Sequence, residues 1–274
     1  MLDKSLHISI CLNIVFLIYS VMAEILDLMD KIKRYYKFTQ HELRGLIIAI
    51  LVMAFVFSYD EWGPGSTFVF SVGIYNFFNA VLIAALSILV HDAGQRIWAL
   101  AIGYRLEFKM WYFGLIISLV AALITKGSLP LIIPAGFMLH HLAGHRLGFF
   151  RYGINYFGQA MVALAGPLST LMLIILLKIL SVFSPNPLIQ KAIIFNVIYT
   201  ITCLIPIPPL DGSKIYFGSR MLYAFALPAI AVATILMVIS IPVFFALVLS
   251  LLVGIVLWLT YYISFERKAW FGPK

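Results

Sequence analysis

Charge is what this chain has least of. Only 11% of its 274 residues are charged and 63% are hydrophobic, whereas soluble domains carry roughly a quarter charged residues. That balance excludes a soluble globular protein and indicates a polytopic membrane protein. Cysteine is almost missing: Cys11 and Cys203 each lie inside an apolar run, so neither a disulfide framework nor a Cys-type zinc finger can be built. The sequence contains no phosphate loop, dinucleotide fingerprint or nucleic-acid module, and no internal repeat or low-complexity tract. With nucleic acid excluded as a partner, the net charge of +8 is explained by basic loops retained on the cytoplasmic face of a bilayer. Acids are scarcest, six Asp and five Glu. Of these, Asp92 and Asp211 lie in apolar runs at membrane depth, where an ionisable residue marks a functional site by default.

Apolar runs at about 7–25, 45–58, 70–103, 110–125, 129–143, 158–182, 187–210, 221–240 and 243–263 divide the chain into candidate spans. The expected fold is all-α, a transmembrane helical bundle of about seven to nine spans at ~20 residues each. The first run follows Lys4 but passes into Glu24-Ile25-Leu26-Asp27 without a small-residue cleavage site, and reads as a retained span. The run at 129–143 is short and holds Pro130 and Pro134; a re-entrant segment packed against protein is expected there. If every run crosses, 14 of the 19 basic residues fall on one side. That bias predicts an outside N-terminus and a cytoplasmic C-terminus. His91 and Asp211 then lie near the same face and can meet. Residues 1–69 are read as N-terminal anchor spans, 70–220 as the core and 221–274 as C-terminal spans.

Two stretches carry chemistry. In His91-Asp92-Ala93-Gly94-Gln95-Arg96, His91 and Gln95 share a helix face at i, i+4. Zinc proteases of the HExxH type place two imidazoles at that spacing, with a glutamate general base between them. Here the pattern reads H-D-x-x-Q. An amide is a poor zinc ligand, and Asp92 is one methylene shorter than the usual base. A structural reading stands beside this one: Asp92 and Arg96, also at i, i+4, can form a neutralising ion pair, and His91 can hydrogen-bond Gln95. In the second stretch, Pro206, Pro208 and Pro209 break a helix directly before Leu210-Asp211-Gly212. Asp211 is either an oxygen ligand for a metal on the first helix or a cap for a helix starting near Ser213.

Helix-borne His91, the later Gly166-Pro167 in an apolar helix and the proline-rich Leu210-Asp211-Gly212 resemble the site-2 protease family of intramembrane zinc metalloproteases. The likeness covers roughly residues 70–220, and Tyr104–Trp111 resembles the short connection of the archaeal members. The resemblance implies a three-helix core carrying HExxH, a G-P-x-x-N-like element and N-x-x-P-x-P-x-x-D-G. It also implies metal ligation at His91, Gln95 and Asp211, a general base at Asp92, zinc as cofactor and transmembrane protein segments as partners in a prokaryotic cell membrane. Four polar positions depart from the pattern: Asp92 and Gln95 in the first element, Thr170 and Cys203 where the family has asparagines.

Three functions compete. The first is a catalytically degenerate homologue that binds transmembrane segments and needs no zinc. The second is an active zinc protease with unusual ligands, Cys203 supplying a replacement thiolate. The third is a small transporter or ion pathway using Asp92, Arg96 and Asp211 as a relay. His140, His141 and His145 form a further cluster, His141 and His145 having ligand spacing if helical. A polar cluster at the membrane boundary is the expected reading. Trp111, Tyr112, Trp258 and Tyr261 are expected as interface anchors.

Overall fold

The computed structural model describes residues 2–63, 67–128, 130–133, 135–142, 155–239 and 241–267, with side chains described from residue 19 onward. In chain order the elements are α1 (Leu2–Tyr35), α2 (Gln40–Phe57), α3 (Phe70–Ala101), β1 (Tyr104–Met110), α4 (Tyr112–Ile124), β2 (Ala135–His141), α5 (Tyr156–Phe183), α6 (Pro187–Cys203), α7 (Asp211–Gly218), α8 (Arg220–Val238) and α9 (Val243–Tyr261).

Among the described residues five helices are long and apolar enough to cross a membrane: α2, α3, α5, α8 and α9 with its continuation to Glu266. Their outward faces are covered with large apolar side chains such as Leu82, Met172, Leu176, Phe244 and Val256, a surface suited to lipid rather than water. The inward faces carry small and polar groups, which let backbones approach closely. α4 and α6 span only about 20 and 26 Å at 1.5 Å per residue and do not reach across alone. The chain is therefore a multi-pass helical protein, with five full-length candidate spans among the described residues; most of the first hydropathy run, 7–25, lies outside the residues whose side chains are described.

The all-helical expectation needs one correction. The described residues of the run at 129–143 form no helix; its second half holds β2, paired antiparallel with β1 from Tyr104↔His141 to Met110↔Ala135. A short apolar run cannot be assigned to helix or strand from periodicity alone. The packing is nonetheless that expected of a segment inside protein: Ile132, Phe137 and Leu139 are buried, and Thr202 Oγ1 on α6 donates to the Ile132 carbonyl at 2.7 Å. The correction extends to the histidines. His140 and His141 lie on β2, not on a helix, so helical ligand spacing to residue 145 does not apply. His140 Nε2 pairs with Glu107 across the ladder at 2.8 Å, and His145 lies outside the described residues.

α3 and α5 cross where neither has bulk. A Cβ on Gly94 would collide with Ser169 Oγ and stand 2.7 Å from Ser169 Cβ. This contact brings the His91 turn of α3 against Gly166-Pro167 of α5. Gly94→Ala is expected to destabilise the bundle by about 1–3 kcal/mol through overpacking. A Ser169→Ala background should relieve part of that loss, because it removes the nearest atom; thermal unfolding in detergent of the two single variants and the double checks this.

Candidate metal centre

Four elements deliver the polar residues. α3 presents His91, Asp92, Gln95 and Arg96, all buried. α5 contributes Gly166, Pro167 and Thr170. α6 ends at Cys203, since the prolines at 206, 208 and 209 supply no amide hydrogen to continue it. The chain then turns into α7, whose first residue is Asp211.

His91 and Asp211, 120 positions apart, are in contact: Nε2 lies 2.8 Å from Oδ2. The capping role considered for Asp211 does not occur, since the N-cap of α7 is Leu210 and no side chain caps that helix. Cys203 joins the pair, so that one imidazole nitrogen, one thiol sulfur and one carboxylate oxygen all lie within 4.8 Å of one another, each residue buried. A Cβ on Gly166 would press against His91 Nε2 and stand 2.6 Å from Gln95 Nε2. Gly166 therefore lets both groups pack directly against the α5 backbone. Gln95 makes no hydrogen bond to His91; its Nε2 is buried without a partner. Thr170 turns to its own helix, donating to the Pro167 carbonyl at 2.9 Å, and accepts from Thr200 of α6 at 2.9 Å. Tyr199, one turn before Cys203, packs its ring 4.9 Å from that of His91.

Asp92 is engaged elsewhere. Its Oδ2 accepts from Arg96 Nε at 2.5 Å, while Arg96 Nη2 donates to Glu42 Oε1 at 2.6 Å and Nη1 to the Leu106 carbonyl at 3.2 Å. The guanidinium carbon lies 4.2 Å from the Phe38 ring centre. Glu42 also accepts from the backbone amides of Thr39 and Phe108, at 2.7 and 2.9 Å. Sequence reasoning missed Glu42, which precedes the second apolar run. The available signal was Thr39-Gln40-His41-Glu42, a capping box whose hydrogen bonds are both present. Lys214, one turn after Asp211, is a second omission. It donates to the Phe137 carbonyl at 3.0 Å, tying α7 to β2, and burial pushes its ammonium down to about 8 against the opposing pull of Asp211 and Cys203.

The donor set tests whether zinc fits. The positions implied by the family resemblance, His91, Gln95 and Asp211, include one carboxamide and so make a poor zinc site. His91 and Asp211 are suitable and adjacent.

Fold and site together define a multi-pass helical membrane protein with buried donors of metal-ligating type. Comparison with known proteins is consistent with that class. The Putative zinc metalloprotease MJ0611 of Methanocaldococcus jannaschii is 27% identical over 194 residues, which cover 69% of this chain and 90% of that protein. The similarity points to a distant relationship with zinc metalloproteases. No family model matches the chain, and no solved structure matches it.

Two carboxylates share one buried guanidinium, so Glu42→Ala leaves Arg96 paired with Asp92 but strips Arg96 Nη2 and the Phe108 amide of their acceptor. That substitution is expected to cost about 1–3 kcal/mol. Glu42→Ala and Arg96→Ala should couple by roughly 0.5–3 kcal/mol in a double-mutant cycle, measured by thermal unfolding in detergent.

Proposed function

We propose that this chain is a site-2-protease-like membrane protein that binds transmembrane segments without cutting them. The observation that carries this reading is the commitment of Asp92. At the position where the resemblance requires a general base, the carboxylate is one methylene short and is held through Oδ2 by Arg96, which Glu42 holds from the other side, while Oδ1 is buried without a partner. Catalytic placement matters at the level of ~1 Å, and this network keeps Asp92 attached to a neighbour. Gln95 at the second imidazole position supports the same conclusion. A substrate-receiving frame is supported by Gly166 packing against His91 and by Asp211, just after the proline corner, contacting the same histidine.

The proposed core spans residues 70–220, with α2 contributing Glu42 from the N-terminal anchor region and residues 221–274 adding C-terminal spans. The archaeal relative supports placement in a prokaryotic cell membrane, with the C-terminus cytoplasmic on the distribution of basic residues. Should zinc be bound, His91 and Asp211 are the residues on this chain that would hold it from the resembling set. Its chemistry in such a site is to polarise a carbonyl and lower the pKa of water. A fold alone does not carry that activity.

Reconstituted wild-type protein is expected to leave a model transmembrane substrate uncut while photo-crosslinking captures the intact segment. Asp92→Glu combined with Gln95→His should introduce zinc-dependent cleavage, because it restores both altered groups on α3. Zinc-dependent cleavage by the wild type, abolished in Asp211→Ala, would overturn the reading.

A further inference from the structure

The altered α3 motif removes one metal ligand, and the fold places another donor beside the two that remain. We infer that Cys203 replaces Gln95 as the third ligand, giving a His91–Cys203–Asp211 centre for a thiophilic divalent metal of the zinc type. This goes beyond the proposed non-cutting function and does not depend on it, since metal binding and proteolysis are read separately.

Three observations converge on this centre. The first is proximity. Zinc holds nitrogen and oxygen at about 2.0 Å and sulfur at about 2.3 Å, which puts tetrahedral donors roughly 3.3–3.6 Å apart. His91 and Asp211 lie 2.8 Å apart, and the sulfur lies within 4.8 Å of both. Closing on an ion therefore needs movements on the order of one ångström.

The second observation is charge. A divalent ion held by neutral imidazole, an amide and one carboxylate keeps one uncompensated positive charge in a buried site. In the HExxH arrangement a nearby glutamate can offset it. Here the corresponding carboxylate, Asp92, is engaged with Arg96, which Glu42 shares, so its charge is directed to a cation other than the metal. With Cys203 as thiolate and Asp211 as carboxylate, two negative charges match a divalent ion. Metal binding drives the required loss of the thiol proton. A buried ionic centre is tolerable when its charges are matched in this way.

The third observation is Gln95 itself. Its amide nitrogen is buried and unpartnered and, like His91 Nε2, closes on Gly166, where a Cβ would stand 2.6 Å from it. The group that lies there is the N–H donor of the amide, which has no lone pair to offer a metal. In this arrangement Gln95 is a hydrogen-bond donor at the margin of the centre rather than a ligand. The third bond has moved from the second turn of the α3 motif to the end of α6. The metal consequently joins α3 to both sides of the proline corner.

Cobalt(II) added to the purified, metal-stripped full chain in detergent reads the ligand set directly, because thiolate ligation produces a sulfur-to-metal charge-transfer band in the near ultraviolet. The expected result is one cobalt per chain with that band, unchanged in Cys11→Ser and Gln95→Ala and lost in Cys203→Ser. Far-ultraviolet circular dichroism and size exclusion establish that each variant remains folded. A folded wild type that takes up no cobalt, a band that survives Cys203→Ser, or cobalt uptake that requires Gln95 would each overturn the inference. A protein that shows the band and also cleaves a transmembrane substrate would retain this centre and sink the non-cutting function instead.

Discussion

A guanidinium cannot be left unpaired in an apolar interior, and Arg96 organises its surroundings for that reason. It takes Asp92 from its own helix, Glu42 from α2 and a carbonyl from β1. Glu42 completes the junction by capping α2 and holding the Phe108 amide of β1. The α1–α2 connection adds Phe38 against the cation. One charged residue thus sets how four parts of the chain meet. Replacing a buried ion pair by apolar residues can be neutral for stability, so the network is better understood as specifying arrangement than as adding strength. That arrangement keeps the Asp92 carboxylate tied to Arg96.

The second organising constraint is the proline corner. Helices bring side chains together along one face, but His91 and Asp211 come from separate segments, and Cys203 lies on the near side of the break. Three prolines within four residues end α6 and release the chain into a turn, so two donors flanking the turn reach the same point on α3. α5 provides the space, because glycine at position 166 leaves room for His91 and Gln95. Small residues at helix crossings commonly permit such close approach in membranes, and here the same device shapes a polar centre.

On the proposed function, framework and chemistry have separated: the sequence elements that carry the resemblance shape backbone, namely the Gly-Pro helix, the proline corner and the Asp-Gly turn, while those that depart from it are donors and acceptors. The 27% identity to the Putative zinc metalloprotease MJ0611 says nothing of the ligands. A donor lost at one helical position can be replaced by one of different chemistry on another helix when the fold already brings both to the same place, and Cys203 occupies such a position.

Much of this was legible from local sequence. Low charge and long apolar runs determined a multi-pass membrane protein, because every backbone polar group in a bilayer must be satisfied within its segment. The i, i+4 spacing of Asp92 and Arg96 was enough to suggest their pairing, and the prolines marked the break before Asp211. The sequence did not reveal β1 and β2, whose ladder joins residues 25–37 positions apart and whose apolar run also suits a short helix. Nor did it reveal that Glu42 reaches Arg96 across 54 positions, since a capping box explains that residue locally without a second partner. Sequence by itself determined which residue types lie on each segment and where segments break, both being short-range properties of spacing and backbone chemistry. Tertiary structure alone decided that Glu42 joins Arg96 and that His91, Cys203 and Asp211 converge, because helix crossings and a proline turn set those distances.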